Sequence, residues 1–108
     1  MALSTKPWGS ISESDYASAE DFCSACLVDM NEPGQPKAKD KCKLPVREPG
    51  GDLNRNGMLA AQGVLVGARG GVQMPAEEKR KAARKLMRMM TQNDMQPAES
   101  MRMMAGME

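Results

Sequence analysis

Histidine is missing from this chain, and aromatic residues nearly so: Trp8, Tyr16 and Phe22 make up the 3% of its 108 residues that are aromatic. Without imidazole, the commonest general base near neutral pH and the commonest metal ligand are both gone, so catalysis is disfavoured. Long apolar runs are lacking too. No stretch approaches the roughly 18 residues of a membrane span, and MALSTKPWGS has no basic start, apolar stretch or cleavage site of a secretory leader. A soluble protein made in a cytoplasm is expected. No G-x-S-x-G, P-loop or H-E-x-x-H motif occurs, and GARGG at 67–71 is too short for a phosphate cradle. These absences point to a non-enzymatic protein with no cofactor and no bound metal.

What is present is soft and unevenly charged. Twelve methionines take much of the work that Leu, Ile and Phe usually do, which makes for an adaptable core that a partner surface could complete. Net charge is only +1, too little for a chain that coats nucleic acid. Yet residues 1–35 carry Lys6 against Glu13, Asp15, Glu20, Asp21, Asp29 and Glu32, a balance of −5. Residues 37–43 hold four lysines against Asp40, and residues 75–92 hold six basic residues against Glu77 and Glu78. Such opposed regions pair within one fold or between copies.

Organisation follows from the punctuation. Residues 1–17 read as an extended arm whose large apolar group, Trp8, either folds back on its own core or reaches a neighbour. From Ser18, the expected N-cap, Ala19, Phe22, Cys23, Cys26, Leu27 and Met30 fall on one helical stripe, predicting a helix over 18–30 with Glu20 and Asp21 in its first turn. Residues 31–55, with four prolines, form a connection too long to be structureless, pinned by Cys42, Leu44 and Val46 and turned at Gly50 and Gly51. Asn56 is expected to cap a second helix over 56–69, apolar on nearly every side, that Arg69, Gly70 and Gly71 end, with Gly70 as its left-handed cap. Pro75 opens a third, amphipathic helix over 75–93, burying Ala82, Ala83, Leu86, Met87 and Met90. Pro97 then allows a short last helix. The fold class expected is all-α: a compact three-helix domain over 18–95 with a long ordered Pro/Gly-rich connector, the extended arm 1–17, and a Met-rich tail or short helix over 96–108.

Three features carry candidate chemistry. Cys23, Cys26 and Cys42 read first as small buried hydrophobes, with a metal site or a disulfide as the alternatives; a zinc site would lack a fourth cysteine or histidine. Lys81, Arg84, Lys85 and Arg88 form a basic helix face, read first as solvated, then as a contact for an acidic protein surface, and last as a nucleic-acid contact. Met101, Met104 and Met107 make a soft stripe that packs within the monomer or on a neighbour.

The run CKLPVREPGGDLNRNG, an Ala-rich helix, GARGGV, AEEKRKAARKLMRMM and QPAES, preceded by KPWGSISESDY and ACLVD, resembles a small module of tailed bacteriophages. That module stands alone or is appended to head-assembly proteins such as the maturation protease. The resemblance covers roughly residues 6–101; methionines replace larger side chains in the last helix, and RMMAGME is an addition. It implies a phage head context, in the virion capsid after assembly in the host cytoplasm. The expected function is a decoration or cement protein whose partner is the major capsid protein, with other copies of itself as a further partner and no membrane. The alternative is a head-assembly factor, scaffold or protease-associated, and after it a DNA-binding protein using the basic third helix. The residues expected to touch the partner are Trp8, Leu44, Val46, Arg47, Arg55, Met101, Met104 and Met107.

Overall fold

In the computed structural model, which describes residues 3–67 and 75–104, Ser18 opens the first helix as its sequence predicts. The Ser18 hydroxyl accepts the Asp21 N–H at 3.1 Å, and Glu20 and Asp21 lie in the first turn, where carboxylates offset the helix dipole. This helix, α1 (Ala19–Ala25), stops five residues short of the end expected for it. Cys26–Asp29 is instead a strand, β1, paired antiparallel with β2 (Cys42–Pro45); Cys26 lies opposite Pro45, Val28 opposite Lys43 and Asp29 opposite Cys42.

The all-α, three-helix expectation is therefore wrong: the described residues form a mixed α/β fold, with four α-helices and a two-stranded antiparallel sheet among them. The physical reason lies in Cys26, Leu27 and Val28, which are all buried. A short run buried on every side satisfies a helical period and a strand equally well, and pairing with a distant segment decides between them. Val46 N–H to the Ala25 carbonyl and Met30 N–H to the Lys41 carbonyl, each 2.9 Å, extend that pairing beyond both ends of the ladder. Leu44 sits in β2 at φ 63°. Left-handed backbone costs a bulky residue of order 1–3 kcal/mol, which burying its side chain, worth about 1.5–3 kcal/mol, offsets.

The connector is also more regular than its composition suggests. Asn31 staples its first part: Oδ1 accepts the Ala38 N–H at 2.8 Å, while Nδ2 donates to the Ala38 carbonyl and to Asp29 Oδ1. Its second part is a hairpin over 46–54, closed by Asn54 N–H to the Val46 carbonyl and Glu48 N–H to the Asp52 carbonyl. Gly51, at φ +99°, makes the tight turn that a side chain would strain.

The chain divides into two compact units, residues 1–57 and 58–108. Helix α2 (Arg55–Leu65) starts in the first and runs on through the second. Its N-cap is Asn54 rather than Asn56: Asn54 Oδ1 accepts the Gly57 N–H at 2.8 Å. Sequence reasoning took the second of two asparagines in LNRNG and so began the helix late. The helix ends at Leu65, ahead of Gly67 at φ +103°, and the Gly70 cap expected for it lies outside the described residues.

In the second unit, α3 (Ala76–Gln92) buries Ala82, Ala83, Leu86, Met87 and Met90, the face its periodicity predicts. Asn93 and Asp94 end it, with Asp94 at φ 59°. A short helix, α4 (Glu99–Met104), packs on α3 through fully buried Met101, and Gln62 of α2 accepts the Ala98 N–H at 2.7 Å just ahead of it.

Candidate partner-binding site in the N-terminal unit

Residues 3–17 are bound back onto their own unit. Ser4 donates its N–H to the Leu53 carbonyl and accepts from Arg55 N–H, a one-residue parallel bridge beside Asn54. Beneath it lies a buried polar cluster. Glu48 Oε2 accepts from the Ser4 hydroxyl and from Asn54 Nδ2 at 2.8 Å, while Lys6 Nζ stands 3.7 Å from Oε1. Asn54, with no exposed surface, also donates to the Lys6 carbonyl at 3.2 Å, and Asn56 donates to the carbonyls of Thr5 and Lys6. The Ser4 hydroxyl, then the Asn54 amide, hold the Glu48 carboxyl below its usual pKa against the opposing effect of its burial.

Beyond this clasp the chain turns at Trp8, whose six-membered ring lies on Gly57: a Cβ there would come within 3.0 Å of three ring carbons. A side chain there would require the ring to give way by a few tenths of an ångström. Tyr16 is 4% exposed and donates its hydroxyl to the Arg47 carbonyl. Burial pushes its pKa up to about 12, with the charges of Cys26, Glu48 and Asp15 adding to the shift. Its ring meets that of Phe22 edge to face, centroids 5.1 Å apart. Trp8, Tyr16 and Phe22, with Ile11, Pro45, Ser12 and Glu13, line a cleft of about 220 Å³. Every aromatic residue of the chain borders this one cleft.

Behind Phe22, Cys23 and Cys42 form a disulfide closing a 19-residue separation, and Asn31 Nδ2 donates to both sulfurs. The reading of these two cysteines as unbonded hydrophobes is corrected here; Cys26 is buried and carries no disulfide. With α1 ending at Ala25, β2 packs against it and the Cys23–Cys42 bond joins the two. The two sulfurs and an Asp29 carboxylate oxygen lie within 4.8 Å of one another. Metal binding calls for thiolates, so the bonded pair offers no such ligands. Asp29 is held at a pKa of about 2, chiefly by the Lys37 ammonium and then by Asn31.

The expected contact residues are scattered. Trp8 is half-buried in the cleft wall, whereas Leu44, Val46 and Met101 are buried within the fold and present no surface. Arg47 donates to the Gly51 carbonyl at 3.1 Å across the hairpin turn, and Arg55 is exposed. The Met104 side chain and all of Met107 lie outside the described residues. Met103, which the expected stripe passes over, is 69% exposed. Lys81, Arg84, Lys85 and Arg88 are all exposed on α3, with Lys81 within 4 Å of Glu77 and Glu78. Sequence reasoning missed Glu48, Asn54 and Gly57; an acid beside Pro49 and an Asn-x-Asn-Gly after two glycines was the available signal.

The chain matches no family model, no curated protein and no solved structure. Among the described residues, no helix is long and apolar enough to cross a membrane.

Proposed function

We propose that this protein is a non-enzymatic bacteriophage head protein that decorates or cements the capsid by binding the major capsid protein lattice. The observation that carries the reading is an apolar strip along α2 and the turn that follows it: Leu59 and Val66 are each 37% exposed, seven residues apart, with half-buried Gly63 between them, and Val66 N–H still bonds the Gln62 carbonyl in the helical manner. That spacing places the two side chains on one side, and glycine between them lets a flat surface approach closely. The resemblance of residues 6–101 to a phage head module supports the same context.

Each copy would add a modest apolar contact, and repetition over a lattice turns modest contacts into shell stability. The test is the protein inventory of purified mature particles, followed by co-sedimentation of the purified chain with heads that lack it. The expected result is a fixed stoichiometry in mature particles and loss of co-sedimentation in Leu59→Glu. Presence in immature heads with absence from mature ones would replace this reading with the assembly-factor alternative.

A further inference from the structure

We infer that the aromatic cleft of the N-terminal unit is a receptor for a lysine or arginine side chain projecting from a partner polypeptide. Its size decides the scale of the ligand. At about 220 Å³ it falls below the roughly 300–1,000 Å³ of pockets that enclose metabolites, and matches a single extended side chain.

Its walls decide the chemistry. Ile11, Phe22 and Pro45 offer apolar surface for an aliphatic stem, and Trp8 and Tyr16 add aromatic rings, which attract a cation, to the lining. No cationic side chain lines the cleft among the described residues, whereas the acidic residue Glu13 does. Glu13 is exposed at the rim and forms no ion pair among the described residues. Nearby, Asp15 accepts the Ser12 N–H at 2.8 Å and adds a second negative charge. The neighbouring cation, Lys39, donates to the Glu13 backbone carbonyl at 3.1 Å and forms no ion pair with the Glu13 carboxylate among the described residues. A purely apolar occupant such as proline would use the rings and waste the acid. An acidic occupant would meet repulsion. The unit that holds the cleft, residues 1–57, carries nine acidic against seven basic side chains, and that net negative charge favours the approach of a basic chain on the same grounds.

Trp8 is the chain's single tryptophan, so its indole N–H resonance reports on this cleft alone. The full-length protein is titrated with N-acetyl-lysine methylamide, N-acetyl-norleucine methylamide and N-acetyl-proline methylamide, following that resonance. The lysine probe is expected to give a saturable shift with about tenfold tighter binding than norleucine, weakening as salt rises. Glu13→Gln, a surface change that leaves the fold intact, should weaken the lysine probe about threefold and leave norleucine unaltered. Norleucine or proline binding as tightly as lysine, indifference of the lysine probe to Glu13→Gln, or an indole signal that never moves would each overturn the inference. So would a salt-sensitive dimer of the protein alone that dissolves in Glu13→Gln, because the occupant would then be a second copy.

Discussion

Breaking the Cys23–Cys42 bond should unfold the first unit well before the second. The bond closes a separation of 19 residues, and the loop-closure entropy it removes from the unfolded chain corresponds to about 3 kcal/mol at 25 °C. A unit of residues 1–57 has a total stability of only about 3–8 kcal/mol at the usual per-residue value, so this one link is a large share of it. With a urea slope near 1 kcal/mol per M, the midpoint should fall by about 2–3 M. The assay is urea unfolding followed by Trp8 fluorescence, which reports on this unit, comparing oxidised protein, protein under a phosphine reductant, and Cys23→Ala/Cys42→Ala. Thiol counting under denaturant fixes the state of each sample: one thiol expected when oxidised, three when reduced. A Trp8 midpoint that moves by less than about 0.5 M, with three thiols counted, would refute the entropic role assigned to the bond.

Other perturbations probe the clasp and the rings. Asn54→Ala removes a helix cap and one of the donors to buried Glu48; it should destabilise the first unit by about 2–4 kcal/mol in the same urea assay, more than Asn56→Ala. Glu48 titrates low when folded, so its contribution is full above the ordinary carboxylate pKa and is lost as pH falls through the depressed folded value. Glu48→Gln should therefore flatten the acid limb of a stability–pH profile measured by Trp8 fluorescence. Tyr16, raised to about 12, favours the folded state fully below pH 10 and loses that contribution as pH rises towards 12; phenolate absorbance should show its ionisation lagging that of an unfolded control. Gly57→Ala should displace the Trp8 ring slightly and change its emission, while Gly9→Ala, which meets open space, should leave the spectrum unchanged.

Sequence and structure part company where long-range pairing, not local pattern, decides. Ser18, the buried face of α3 and the turn at Gly51 are local choices, written in capping, periodicity and glycine chemistry, and all are legible. Cys26–Asp29 is not, because its pairing with Cys42–Pro45 spans a connector whose hairpin and Asn31 staple leave no periodic signal. Trp8 was visible as an isolated large group, but the cleft it shares with Tyr16 and Phe22 depends on Gly57, 49 positions away, accepting its ring. Leu44, Val46 and Met101 are buried, which agrees with Leu44 and Val46 as pins of the connector and with Met101 packing within the monomer, but not with their part as contact residues.

The clasp around Asn54 also sets an order of events for the folding chain. Ser4 and Glu48 are separated by 44 residues, and Asn54 and Lys6 by 48. Contacts that close such loops form late, because the entropy of closure is spent before any bond rewards it. The hairpin over 46–54, whose turn bonds close within a few residues, is free to form early and to present Glu48 and Asn54 as a waiting cradle. The return of residues 4–6 is then the step that completes the start of α2. A bulky fusion joined directly to the N-terminus is therefore expected to slow the last stage of refolding, followed by Trp8 fluorescence, and to spare the early hairpin.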